Sequence, residues 1–152
     1  MSRTDAWADQ PSRVILGIDV AKAKFDAALL VEGKVLYGTF PMDTSGFAAL
    51  QHWLGKHTVS GSDSVHACLE ATGAYGAALA LFLYEAGHQV SVVNPARIAA
   101  YAKSRLVRTK TDKTDAVLIA HFCAREQPPI WTPPATEVRE LQALVRRVEM
   151  LD

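Results

Sequence analysis

The sequence predicts one α/β domain built on a mixed five-stranded sheet flanked by helices. Three observations carry that reading. Three apolar runs, Val14 to Asp19, Phe25 to Val31 and Val35 to Phe40, follow one another closely, as the strands of a meander do. Two more, Val65 to Leu69 and Val90 to Val93, alternate with helical patterns, which makes the last strands parallel and the sheet mixed. The chain has 152 residues, 49% of them apolar, the length of an ordinary domain with enough apolar surface for a real core.

Taken in order, the first run ends abruptly on a carboxylate, Asp19, and Glu32-Gly33-Lys34 is a hairpin turn between the second and third. Thr44 or Ser45 is positioned to cap a helix whose apolar face is Phe47, Leu50, Trp53 and Leu54. A polar loop, HTVSGSDS, leads to the fourth strand, which ends at Glu70. Thr72-Gly73 opens a helix that is apolar on nearly every side, so other elements must cover it, and Gly87 stops it. Asn94-Pro95 ends the fifth strand, and Pro95 suits the first position of a short helix through Ala102. A last helix of the domain runs from about Asp112 to Glu126, where PPIWTPP breaks it.

From Thr136 onward, Val138, Leu141, Val145 and Val148 form an apolar stripe of coiled-coil width. The stripe is still running at Asp152, so the reading here is a segment of a longer protein. The expected organisation is a flexible tail over residues 1–12, the domain over 13–127, a Pro-rich linker over 128–135 and the start of a coiled-coil helix over 136–152.

Lys+Arg 16 against Asp+Glu 16 leaves no net charge, so the overall balance names no partner. Its distribution does: Arg97, Lys103, Arg105, Arg108, Lys110 and Lys113 are opposed only by Asp112. The two cysteines, Cys68 and Cys123, stand in apolar surroundings and read as free thiols of a reducing compartment. The polar first dozen residues lack the apolar core of a signal peptide. The longest apolar stretch, Ala77 to Tyr84, is far short of the roughly 20 residues that span a bilayer, so a soluble cytoplasmic protein without a membrane partner is expected.

Asp19 and Glu70 each end a buried strand, at the sheet edge where open α/β folds bind ligands. Asp112 and Asp115 are three apart on one helix face, which Ile119 and Phe122 continue. Any one of them has a structural explanation, since Asp favours the first turn of a helix and Glu70 is placed to bind nearby amides. Together they favour a shared divalent cation, because a hard metal relieves repulsion among crowded carboxylates. Such a cage beside a basic stretch is the equipment of two-metal phosphodiester chemistry.

These residues carry a family resemblance. "GIDVAKAKFD", "LEATGAYG", "VSVVNPARIAAYAKSRLVRTKTDKTDA" and "LIAHFCA" resemble, in order and over about residues 13 to 150, the N-terminal domain of DEDD-type insertion-sequence transposases, relatives of Piv-like DNA invertases and bridge-RNA-guided recombinases. The resemblance implies a RuvC-like, ribonuclease-H-type fold for residues 13–127 and an acidic tetrad of Asp19, Glu70, Asp112 and Asp115 that is both catalytic and metal-binding, with Mg²⁺ or Mn²⁺ as the ion. It implies DNA as substrate, a guide RNA as a further partner, and a second, C-terminal domain bearing a catalytic serine. None of the serines here sits in a stretch like that motif. Self-association through the C-terminal helix is expected from its stripe, and phosphate contact from the basic stretch beside the aspartates.

Weaker signals point elsewhere. His66/Cys68 and His121/Cys123 repeat an H-x-C spacing that hints at zinc, but His121 and Cys123 diverge on a helix and buried thiols are the safer reading. Trp131, between prolines, reads as a surface staple. Among other functions, an actin-like ATPase wants glycine where Ala21 stands, and a RuvC-like structure-specific nuclease or a non-catalytic nucleic-acid-binding or oligomerisation module are the remaining alternatives.

Overall fold

A computed structural model describes residues 14–58, 65–71, 73–104 and 112–133, without the side chains of residues 112–114. Five strands and four helices follow one another: β1 (Ile15–Val20), β2 (Lys24–Val31), β3 (Lys34–Pro41), α1 (Thr44–His57), β4 (His66–Glu70), α2 (Ala74–Glu85), β5 (Gln89–Val93), α3 (Pro95–Ser104) and α4 (Asp112–Glu126). The sheet order is β3-β2-β1-β4-β5. The meander pairs antiparallel, while β1–β4 and β4–β5 pair parallel, so the mixed sheet expected from the sequence is found.

Alternation along the strands sorts side chains to two faces. Leu16, Ile18, Phe25, Ala27, Leu29 and Leu69 share one core cluster with Phe47, Leu50 and Leu54 of α1 and Leu79 and Leu83 of α2. Aromatic contacts join these layers: Phe25 stacks on Phe40 at 5.4 Å, and Phe47 meets Phe82 at 5.4 Å. Ile15, Ala28, Cys68 and Val93 face the other way, against Ile98 of α3 and Ala116, Ile119, Ala120 and Phe122 of α4. The apolar α2 is covered as expected, burying Ala78, Leu79, Ala80, Leu81 and Leu83.

Local chemistry sets the joints. The turn after β2 places both Glu32 (φ 50) and Gly33 (φ 77) at positive φ, the pattern of a two-residue hairpin turn. The cap of α1 is one residue earlier than the sequence reading placed it. Asp43, not Thr44 or Ser45, accepts the Gly46 amide at 2.9 Å, and the Ser45 hydroxyl donates to the same carboxylate at 2.6 Å. A carboxylate is the better acceptor at a positive helix end. Asn94 caps α3, its side-chain oxygen accepting the Ala96 amide at 2.7 Å, and the helix runs two residues past Ala102.

Beyond α4, residues 128–131 lie along β5. Ser91 donates toward the carbonyls of Pro128 (3.1 Å) and Pro129 (2.9 Å), and the Trp131 amide donates to the Val90 carbonyl at 2.6 Å. Trp131 meets Tyr84 edge-on, centroids 6.1 Å apart, so it is a staple for this segment. Among the described residues, no helix is long and apolar enough to cross a membrane. Residues 1–12 and the segment 136–152, including the expected coiled-coil start, lie outside the described residues.

Candidate active site

Register brings the strand carboxylates together. Ile18 pairs with Leu69 across the parallel β1–β4 ladder, so the next residues, Asp19 and Glu70, are neighbours on the face that α4 covers. Both are partly exposed at the C-terminal edge of the sheet, where the apolar strands give way to solvent.

The helix is brought to them by a glycine. Gly17 lies on the same face as Asp19, two residues earlier, and is buried under α4. A Cβ there would collide with the Ala116 carbonyl oxygen and the Ala120 amide nitrogen. Only a bare backbone lets α4 sit this low, and the side chains it sets against the strand are likewise small, Ala116 and Ala120, both fully buried. Asp115 immediately precedes that contact. It lines, with Asp19 and Glu70, a cleft of about 300 Å³ closed by Pro95 and Ile98 of α3 and Leu118 of α4.

Thus three of the four predicted acidic residues face one cleft. Asp112 is the first residue of α4, one helical turn before Ala116, and its side chain is outside the described residues. Among the described residues, no three carboxylate, imidazole or thiol groups are close enough to form a ready-made metal cage. The donors lining the cleft are carboxylate oxygens, the set that suits a hard cation such as Mg²⁺ or Mn²⁺ rather than zinc or copper.

The basic residues are less concentrated. Lys103 is exposed on α3. Arg97 lies over the Phe122 ring at 5.3 Å, and Tyr101 meets the same ring edge-on at 5.5 Å. Arg97 and Tyr101 line a separate groove of about 270 Å³ between α3 and α4, next to the acidic cleft rather than in it. Arg105, Arg108, Lys110 and the side chain of Lys113 lie outside the described residues.

The zinc hint dissolves. His66 Nε2 is 2.7 Å from the Ser91 hydroxyl, and because Ser91 donates onward to proline carbonyls, His66 is the donor. Cys68 and Cys123 are buried free thiols in contact with each other, and that contact and burial push the Cys123 thiol far up, so it stays protonated.

One buried charge escaped the sequence reading. Asp26, on β2, pairs directly with Asp19 on β1 and is only 2% exposed. The Thr39 hydroxyl donates to it at 2.7 Å and the Lys24 ammonium at 3.1 Å, and Tyr37 also hydrogen-bonds to it. Burial pushes the Asp26 carboxyl up, but those hydrogen bonds and the Lys24 charge outweigh it and hold the group below its ordinary value. The Tyr37 phenol is raised, by burial first and then by its bond to Asp26. The register is set by the tight turn over Lys22-Ala23, closed by the Ala21 amide on the Lys24 carbonyl at 2.9 Å, which puts Asp19 opposite Asp26.

The strand order, the helices on both faces and the carboxylates at the sheet edge define a ribonuclease-H-type domain of the RuvC kind. The fold is similar to that of T. thermophilus RuvC, solved in complex with a Holliday junction substrate, with a TM-score of 0.52 and 14% identity over 74% of this chain and 95% of that one. The family is settled by sequence: the chain belongs to the DEDD transposases of the IS110 type, whose family model, described as a transposase, matches residues 16–151. It is 42% identical over 138 residues to the pilin gene-inverting protein of Moraxella lacunata, and 41% identical to that of Moraxella bovis. Those matches cover 91% of this chain and 42% of each relative, so the chain spans about two-fifths of their length.

Proposed function

We propose that this chain is the metal-binding catalytic part of a DNA transposase or recombinase that acts on phosphodiester bonds. Asp19, Glu70 and Asp115, with Asp112 one turn earlier on α4, would hold Mg²⁺ or Mn²⁺. The observation that carries this reading is the convergence of carboxylates from β1, β4 and α4 on one cleft of about 300 Å³, in a chain of transposase family. A divalent ion held there would lower the pKa of an attacking oxygen and neutralise charge on the leaving one. The chain's own part is to fix the carboxylates against a rigid sheet. Ile98 and Leu118 line the cleft with apolar surface, which raises the effect of every charge inside it.

DNA is the substrate this reading requires, with phosphate contacts from Arg97, Lys103, Arg105, Arg108, Lys110 and Lys113. A guide RNA and self-association through the helix expected over residues 136–152 belong to the same reading, as does the division into residues 13–127 and the segments around them. Work in the cytoplasm belongs to the same reading, supported by its free thiols, Cys68 and Cys123, which suit a reducing compartment.

The test is metal binding. Mn²⁺ at about 100 times its Kd stabilises a one-site protein by about 2.7 kcal/mol, which raises the melting temperature by several degrees. Asp19→Asn is expected to remove that rise while leaving the metal-free protein folded, since it also removes a like charge beside Glu70. An equal response to Mn²⁺ in both proteins overturns the proposal.

A further inference from the structure

The groove that holds Arg97 lies between the same two helices as the acidic cleft. On α4, Asp115, Leu118 and Ile119 line the cleft, while Phe122 and Glu126 line the groove. Their three- and four-residue spacing puts all five on one side of the helix. Phe122 stands seven residues beyond Asp115, about 10 Å at about 1.5 Å per residue. That is about three steps of a nucleic-acid strand at about 3.4 Å each. A strand with one phosphate at the carboxylates reaches the groove with a nucleotide close by.

What lines the groove suits a base better than a phosphate. Its volume is about 270 Å³, and Ala100, Tyr101 and Phe122 contribute apolar surface. Arg97 lies over the ring of the buried Phe122 at 5.3 Å, and the Tyr101 ring meets that same ring edge-on at 5.5 Å. Packing thus holds the guanidinium in place while the Arg97 side chain stays exposed. A guanidinium offers a plane on which a base stacks and N–H donors along its edge. Glu126 is also exposed, and among the described residues it is not ion-paired with Arg97. Its carboxylate repels a phosphate but accepts N–H bonds. A ligand that satisfies both side chains is flat and carries acceptors and donors together. Guanine has that pattern: O6 and N7 accept, and the exocyclic N2 amino group donates.

We infer that the groove between α3 and α4 binds an unpaired guanine of the DNA strand held at the acidic cleft, stacked on Arg97 and donating to Glu126. The base is unpaired because duplex stacking covers the face that Arg97 needs. The inference rests on the reading of the chain as one that acts on DNA, and it gives Arg97 a base to hold in place of a phosphate.

The test measures how the 152-residue chain binds short strands of abasic deoxyribose phosphates that carry one central base or none. The wild type is expected to bind the guanine strand about tenfold more tightly than the bare strand, the scale of one bidentate base contact. Arg97→Lys keeps the charge but loses the plane and the fork of donors, so the guanine preference should vanish with the salt slope unchanged. Glu126→Gln should weaken binding of the guanine strand and not of the bare one. A phosphate in the groove gives the opposite sign, since removing the carboxylate charge then tightens binding of every strand. That outcome overturns the inference, as does a wild type indifferent to the base or a guanine preference that survives Arg97→Lys. A ribose strand that gains more from its guanine than the deoxyribose strand does would assign the groove to RNA and overturn it too. Both side chains are exposed, and an unchanged melting temperature shows that each variant is folded. A wild-type chain that binds none of these strands refutes the DNA-acting reading itself, a result distinct from the others.

Discussion

At the scale of single residues, Gly17 decides how deep the site is. Its backbone lies against that of α4, so the spacing between β1 and the helix that carries Asp112 and Asp115 is set by backbone contact. Gly17→Ala would force α4 outward, and overpacking of this kind costs about 1–3 kcal/mol. The expected outcome is a lower melting temperature together with a Mn²⁺ affinity reduced at least about tenfold, since metal ligation tolerates little displacement. A folded Gly17→Ala protein with wild-type metal affinity would show that the helix finds its place by other contacts. The same scale shows what the sequence discloses. Asp19 and Glu70 stand out because each ends an apolar run at the ligand-binding edge of a sheet. Asp26 does not, because it is embedded in such a run, and its meaning comes from the hairpin register that sets it opposite Asp19. Gly17 is equally silent, since a glycine in a strand announces close approach only once the approaching helix is known.

At the scale of elements, two histidines fasten the start of β4 and make its seat sensitive to acid. His88 accepts the Val65 amide at Nδ1 (3.1 Å), which requires that nitrogen to be unprotonated, and its Nε2 then donates to Gln51 of α1 at 2.8 Å. His66 donates to Ser91, which holds residues 128–131 against β5. Burial lowers the pKa of both imidazoles below the ordinary value of 6.5. Between the folded and unfolded pKa values the unfolded chain binds more protons, so stability falls as pH drops below about 6.5 and is fully present above it. Each histidine contributes at most about 1.4 kcal/mol per pH unit in that window. His88→Asn is expected to flatten the decline in denaturation midpoint between about pH 7.5 and 5.5, and an unchanged pH slope would refute the assignment. This lock is not legible in the sequence. Strands, helices and their order follow from local apolar periodicity, which is why, among the described residues, five strands and four helices are found nearly where the sequence places them. Ser91, His66 and Pro128 meet only through the crossovers that bring β4, β5 and the end of α4 together. The α1 cap differs for a smaller reason: Asp43, Thr44 and Ser45 are all capping types, and only the geometry of the chain leaving Pro41 selects among them. Gly46 packs so tightly on the Pro41 carbonyl that a Cβ would collide with it, which fixes where the first turn begins.

At the scale of the whole molecule, the described serines bear on which chemistry the cleft can perform. The family resemblance implies a serine nucleophile from a second domain, attacking the scissile phosphate beside the acidic residues. A nucleophile of that kind needs placement within about 1 Å. Three described serines are engaged elsewhere: Ser45 donates to the Asp43 carboxylate at 2.6 Å, Ser91 is buried against the prolines after α4, and Ser104 donates to the Tyr101 carbonyl at 2.8 Å. None of these three lines the cleft of Asp19, Glu70 and Asp115. If the serine comes from a second domain, as the resemblance implies, the chain alone is expected to bind Mn²⁺ and DNA yet form no covalent protein–DNA adduct, and water in place of serine would leave only slow, nonspecific nicking. Its DNA affinity should depend steeply on salt through the basic stretch. Neutralising Arg105, Arg108 and Lys110 together should flatten that slope by up to about 0.9 for each phosphate no longer bound. An unchanged slope returns those three residues to an ordinary solvated loop. Incubating the chain with Mn²⁺ and end-labelled duplex, then denaturing the mixture, tests the first expectation. A labelled band that migrates with the protein after denaturation would show that a nucleophilic side chain within these 152 residues attacks phosphorus, and would overturn that expectation. Free nicked DNA, abolished by Asp19→Asn, is the result that the geometry of this cleft supports.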